Sequence, residues 1–181
     1  MSALQGNQAR RRILAVIGPG EEATPHDVAD AFEVGALAAR AGWVVATGGR
    51  AMGVMDAACR GARSADGIAI GILPDDDASS ASRAVDIAIV TGLGEMRDQV
   101  VVLSSDAVVV CGMSAGTSVE VALAIKAKKQ VVLVRPDAEA RAFFEHISGG
   151  RIEVATTPLE AMQIVESVTA GSSEFQVPSS E

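Results

Sequence analysis

Ala107-Val108-Val109-Val110-Cys111-Gly112-Met113-Ser114-Ala115-Gly116-Thr117-Ser118-Val119-Glu120 is the stretch on which the fold turns. Five consecutive apolar residues run into a glycine turn, and hydroxyl residues then precede an Ala- and Val-rich segment. An unbroken apolar run suits a strand covered on both faces, where an alternating run would suit a half-exposed one. A hydroxyl residue ahead of such a segment is a helix start. The stretch reads as buried strand, turn and helix.

The same unit recurs in both directions along the chain. Apolar runs lie at Ile13–Ile17, Trp43–Thr47, Ile68–Leu73, Ile87–Val90 and Val131–Val134, with a short final one at Ile152–Ala155. Helical stretches are expected at Pro25–Arg40, Gly53–Arg63, Gly94–Ser104, Thr117–Lys128, Asp137–His146 and Pro158–Val168. Thr24-Pro25 is an N-cap followed by proline at the first helical position, and Gly42 ends that helix. Alternating strands and helices give an α/β fold, a Rossmann-like, doubly wound parallel sheet of about six or seven strands with helices on both faces.

Composition bounds the rest. The 181 residues are 49% hydrophobic and 21% charged, which suits one domain with a sizeable core. Residues 11–170 are expected to form a single nucleotide-binding domain between disordered tails at 1–10 and 171–181, where Ser, Gln, Glu and Pro dominate. A net charge of -8 and 3% aromatic residues argue against nucleic-acid partners, which need basic and stacking side chains. No signal peptide is read, because Ile13–Ile17 is too short for one, and no run is long enough for a membrane span. Cys59 and Cys111 lie in apolar stretches and read as buried free thiols of a reducing, cytoplasmic compartment. His26 and His146 stand alone, so no metal site is expected. Asp75, Asp76 and Asp77 sit in a polar loop that reads as a solvated charge run or as a cation site.

In an open parallel sheet, ligands bind beyond the carboxyl ends of the strands. The loops there are Gly18-Pro19-Gly20, Gly48-Gly49-Arg50 continuing to Gly53, Pro74-Asp75, Thr91-Gly92-Leu93-Gly94, and Gly112-Met113-Ser114-Ala115-Gly116-Thr117. Their amides can approach an anion, and the helix N-termini that follow favour negative charge. A phosphate-bearing small molecule is the ligand class this implies. Two side chains suit chemistry on it: Arg97 to clamp oxygens, and Glu120 to meet a developing cation or a water. Thr117-Ser118-Val119-Glu120 also reads as a capping box, with Thr117 as N-cap and Glu120 reaching back, and both roles stay open. Arg97, a cation in a first helical turn, opposes the helix dipole, with Glu95 and Asp98 as surface partners that offset it.

These motifs resemble the LOG ("lonely guy") superfamily, which contains phosphoribohydrolases and molybdenum cofactor carrier proteins. Thr47-Gly48-Gly49 with Gly53-Val54-Met55-Asp56-Ala57-Ala58, Gly71-Ile72-Leu73-Pro74, Thr91-Gly92-Leu93-Gly94-Glu95-Met96-Arg97 and Gly116-Thr117-Ser118-Val119-Glu120 carry the likeness, which spans Ile13 to Val134. The third of these is of the carrier type. The resemblance implies a carrier-like protein that binds a nucleotide or a molybdopterin-type cofactor, with no other cofactor required. Alternatively, it implies a nucleoside 5′-monophosphate phosphoribohydrolase that releases free base and ribose 5-phosphate, with Arg97 and Glu120 catalytic. Lysine decarboxylation is not implied, since the family has no pyridoxal phosphate site. A homo-oligomer, dimer or tetramer, is expected from the same likeness. The chain departs from the family at Met113 and Ser114, which replace paired glycines, and at Asp98, where the hydrolases carry Lys and the carriers Asn.

Overall fold

The computed structural model describes residues 10–170; apart from Arg10, the tails expected to be disordered lie outside the described residues. The strands are β1 (Ile13–Ile17), β2 (Val44–Thr47), β3 (Ala69–Leu73), β4 (Ile87–Val90), β5 (Ala107–Cys111), β6 (Gln130–Val134) and β7 (Glu153–Ala155). The helices are α1 (Pro25–Arg40), α2 (Gly53–Ser64), α3 (Arg97–Ser104), α4 (Ala115–Lys126), α5 (Ala138–Ser148) and α6 (Pro158–Ala170). The stretch expected to be one helix from Gly94 divides into a single 3-10 turn, Gly94–Met96, followed by α3.

All seven strands are parallel, in the order β4-β3-β2-β1-β5-β6-β7. The chain winds outward from β1 in one direction and, after β4, returns to build β5 to β7 on the other side. The strand order therefore reverses between β1 and β5, the place where open sheets of this kind bind ligands.

Side chains alternate across a strand, so each continuous apolar run supplies two faces. Leu14 and Val16 of β1 join one core with Ala31 and Val34 of α1, Ala57 and Ala58 of α2 and Val165 of α6. Ala15 and Ile17 join the other with Val101 of α3, Val121 of α4 and Phe144 of α5. This is the Rossmann-like, doubly wound arrangement expected. The capping expected at Thr24 is also present: Thr24 Oγ1 accepts from the Asp27 amide at 3.2 Å while Asp27 Oδ2 accepts from the Thr24 amide at 2.9 Å.

Two local expectations are corrected. The strand β4, apolar throughout, is exposed along its whole length, because no helix connects it to β3 and it forms the sheet edge. The N-cap of α4 is Ser114, whose Oγ accepts from the Thr117 amide at 3.2 Å. The capping box expected from Thr117 to Glu120 is therefore absent, and Glu120 lies inside the helix. Both cysteines are free and buried. Among the described residues, no helix is long and apolar enough to cross a membrane.

Candidate functional site

A cavity of about 120 Å³ lies at the carboxyl ends of β1, β2 and β5, at the strand-order reversal. Val16, Ile17 and Gly18 form its floor from β1, and Gly48 enters from the end of β2. Ser114, Gly116, Thr117 and Glu120 line it from the start of α4, Arg97 and Asp98 from the start of α3, and Glu95 from the 3-10 turn before it. Gly20 and Met55 complete the wall.

Arg97 is only 8% exposed. Its guanidinium rests directly on Gly48: a Cβ built there would lie 2.0 Å from Nη1 and 2.6 Å from Cζ. Gly48 thus acts as the seat of the arginine, where the sequence suggested only an anion-binding amide. Nη1 is 3.1 Å from Asp98 Oδ1, but Oδ1 accepts no hydrogen bond among the described residues, and Arg97 Nε donates none. Buried polar groups are usually hydrogen-bonded, so two such atoms side by side, one of them in an ion pair, make this cavity the candidate site.

Glu120 is 7% exposed. Burial pushes its carboxyl up to about 8; Asp98 adds to the rise and Arg97 opposes it. At neutral pH it therefore holds its proton and can donate it. Asp98 was expected at the surface but is buried, and burial raises its carboxyl, with Arg97 opposing and Glu95 adding. Asp98 lies in the first turn of α3, beside Arg97, and both are buried there.

The cavity brings together Gly18, Gly20, Gly48, Arg97, Ser114, Gly116, Thr117 and Glu120 of the residues named from sequence. The others build its surroundings. The Pro19 carbonyl accepts from the Val54 amide at 3.0 Å, and Gly53 (φ 51°) abuts the Pro19 and Gly20 carbonyls. Gly49 packs its backbone on Gly71. Arg50 turns to Asp75, with Nη2 at 3.5 Å from Oδ1. Thr91 Oγ1 donates to the Leu73 carbonyl at 2.7 Å, and the Gly92 and Gly94 amides donate to the Asp75 and Pro74 carbonyls at 2.9 and 3.0 Å. At Gly112 (φ 81°) the missing side chain leaves room for the Asp27 carboxylate, 2.4 Å from where a Cβ would stand. Met113 receives the Ser118 hydroxyl on its sulfur at 3.4 Å, and Ala115 is exposed on the outer side of α4. Met55 was missed, yet it occupies the first turn of the helix after a glycine loop, the same kind of position that singled out Arg97.

Several proteins resemble this chain in structure or in sequence. The molybdenum cofactor binding protein of Rippkaea orientalis is 45% identical, with a TM-score of 0.88, over 89% of this chain and 99% of that one. The Moco carrier protein of Chlamydomonas reinhardtii is 44% identical, with a TM-score of 0.84, over 90% of this chain and 99% of its own. An uncharacterized protein of Archaeoglobus fulgidus is 37% identical over 123 residues, 68% of this chain and 80% of its own. The family model described as SLOG cluster4 matches residues 11–162. That match spans every strand and cavity residue described above, in agreement with the resemblance to the LOG and molybdenum cofactor carrier superfamily: the chain belongs to the SLOG cluster4 family.

Proposed function

We propose that the protein binds a phosphate-bearing small molecule, of molybdopterin or nucleotide type, across the carboxyl ends of its strands and acts as its carrier. The observation that carries this reading is Arg97: buried, seated on Gly48, its Nε without a hydrogen-bond partner among the described residues, in a cavity at the strand-order reversal. Similarity to proteins described as binding or carrying the molybdenum cofactor supports the pterin class. In this reading the phosphate lies at the rim, on the first-turn amides of α4 beside the Ser114 hydroxyl, where the helix dipole favours an anion.

A molybdenum cofactor fits these residues at its organic end. The Arg97 Nε donor, which has no hydrogen-bond partner among the described residues, and the polar lining around it suit the polar edge of such a molecule. Among the described residues no group of three or more His, Cys, Asp or Glu side chains could hold a metal, so the metal would arrive already bound by its own ligand. When bound, such a group would supply redox chemistry to whichever enzyme receives it.

One observation favours the second reading, phosphoribohydrolysis. Glu120 is free of capping duty and keeps its carboxyl proton at neutral pH. It could protonate the leaving base as the C1′–N bond breaks and water adds to C1′, giving free base and ribose 5-phosphate. The same likeness carries the expectation of a dimer or tetramer, for which exposed Leu103 and Val119 on neighbouring α3 and α4 offer apolar surface.

Titration with nucleoside monophosphates and a pterin monophosphate, with chromatography of the mixtures afterwards, tests both readings. Saturable binding with every ligand recovered intact is the expected outcome. Base release by the wild type that Glu120→Gln abolishes would replace the carrier with the hydrolase. Absence of binding to any member would remove both.

A further inference from the structure

The end of the molecule opposite the Arg97 cavity is built differently. A cavity of about 250 Å³ lies there, between the last turns of α4 and α5 and the start of β6. Its lining holds Lys128, Lys129 and Arg151 and no carboxylate, in a chain whose net charge is -8. None of the three forms an ion pair among the described residues. Asp106 lies within electrostatic reach of Lys129, but it already bonds Arg10 and the Ile13 amide. Cations at helix C-termini ordinarily offset the helix dipole. Lys129 does so: its Nζ donates to the Leu103 and Ser105 carbonyls at the end of α3, at 3.0 and 2.5 Å. The other two cations have no such bonds to helix ends through their charged tips. Backbone closes α4, with the Lys128 and Lys129 amides donating to the Ile125 and Ala124 carbonyls, and the Gly149 and Gly150 amides close α5. Lys128 stands where a helix usually ends on glycine, at a φ of 57°. Arg151 is held by Ser148, whose Oγ accepts from its amide at 3.2 Å and whose carbonyl accepts from its Nε at 2.8 Å. Its two Nη groups have no hydrogen-bond partner among the described residues.

We propose that this cavity is a second anion site, for the diphosphate group of a small metabolite, which Lys128 and Arg151 contact while Lys129 supplies a fixed third charge. It stands apart from the carboxyl-end site and does not depend on the reading given for it. Three like charges in one concave space repel one another, and an anion that bridges them removes that cost. The guanidinium offers two parallel Nη donors, which suit phosphate oxygens, and the ammonium adds a mobile point charge. Lys129 keeps its place because two of its three protons are already bonded to carbonyls. The cavity has about twice the volume of the first and takes more than one phosphate group. Ile125 and Ile152 complete part of its wall and lower the dielectric around the charges. A single phosphate meets fewer of the three cations at once, so the site favours a diphosphate over a monophosphate.

The test is calorimetric and NMR titration of the full chain with inorganic phosphate, pyrophosphate and ADP, repeated with Lys128→Gly and Arg151→Gln. In the wild type, pyrophosphate and ADP are expected to shift the Lys128, Lys129 and Arg151 amides and to bind at least about 10-fold more tightly than phosphate. Tighter binding of ADP than of pyrophosphate would identify a nucleotide as the source of the diphosphate, and the reverse order the free diphosphate. Each variant should weaken pyrophosphate by about 3- to 10-fold, the loss of one partly solvated ionic contact. Lys128→Gly should also raise the thermal midpoint, because glycine relaxes the positive φ. Stability and affinity then move in opposite directions, which a lysine serving only the helix end would not produce. Unchanged pyrophosphate affinity in both variants would overturn the proposal, as would a lower thermal midpoint of Lys128→Gly with affinity retained. Shifts by pyrophosphate confined to the Gly48 and Gly116 amides and the Arg97 Nε–H would overturn it too, while leaving the carboxyl-end site standing. Absence of pyrophosphate and ADP binding would remove this site alone if monophosphates still bind at Arg97.

Discussion

Gly48→Ala is expected to weaken binding of the phosphate-bearing ligand by about 10- to 100-fold while leaving the fold almost as stable as before. The added methyl would stand 2.0 Å from Nη1, 2.6 Å from Cζ and 2.7 Å from Nη2 of Arg97. Those atoms form the free end of a long side chain, so the clash is relieved by swinging the guanidinium away, and the sheet need not move. Gly48 is not among the glycines with positive φ, so alanine adds no backbone strain there. The loss equals that of a charge-assisted hydrogen-bond partner, about 1.5–3 kcal/mol, which gives the stated range. Calorimetry and thermal unfolding of the same sample separate the two effects. Unchanged affinity would mean that the guanidinium does not touch the ligand, while a collapse of stability would mean that Gly48 serves the fold.

The second large effect concerns Glu120 and pH. Its carboxyl has an ordinary value of 4.5 and is pushed up to about 8 in the folded protein. Below pH 4.5 both folded and unfolded chains hold the proton, and no penalty exists. Between these two values the unfolded chain has released a proton that the native state retains, so stability falls as pH rises. Above about pH 8 both states are ionised and the penalty levels off at a few kcal/mol. Glu120→Gln removes the titration while keeping the shape. Its thermal midpoint is expected to gain on the wild type progressively from pH 5 to pH 8 and to keep a constant lead above that. Anion affinity of the wild type should also fall through pH 8, and that of the variant should not. A difference in midpoint independent of pH would show that Glu120 is not buried as a neutral acid.

The layering of the molecule was legible because its signals are local. Ile13–Ile17, Ile87–Val90, Ala107–Cys111 and Pro25–Arg40 have the bounds read from sequence, set by apolar runs that end at Gly18, Thr91 and Gly112 and, for the helix, by a cap and a proline. The exposure of β4 was not legible: four apolar residues look the same at the centre of a sheet and at its edge, and only the missing helix after β3 separates the two. The cap of α4 was ambiguous because Ser114 and Thr117 are both good caps three residues apart. The Gly112 turn lets the helix begin at the earlier one. Arg97 and Glu120 could be named because residue type and position in the first turns suggest a ligand. The partnership of Arg97 with Gly48, and the burial of Asp98, depend on how α3 packs across β1 and β3 and against α4, and no local pattern encodes that. Pro74, Thr91, Gly92 and Gly94 share the glycine-loop signature but use it to bind neighbouring loops to one another.

The most direct test of the central claim, that the Arg97 cavity is where an anionic metabolite binds, is a nitrogen-resolved NMR titration of the full chain with a pterin or nucleoside monophosphate. The predicted result is that shifts concentrate on the Gly18, Gly48, Gly116 and Thr117 amides and on the Arg97 Nε–H. A second cavity at the opposite end of the sheet, lined by Ile125 and Ile152 as well as Lys128, Lys129, Gln130 and Arg151, provides the contrasting outcome. Shifts confined to those residues, with the Arg97 Nε–H unmoved at saturation, would contradict the account.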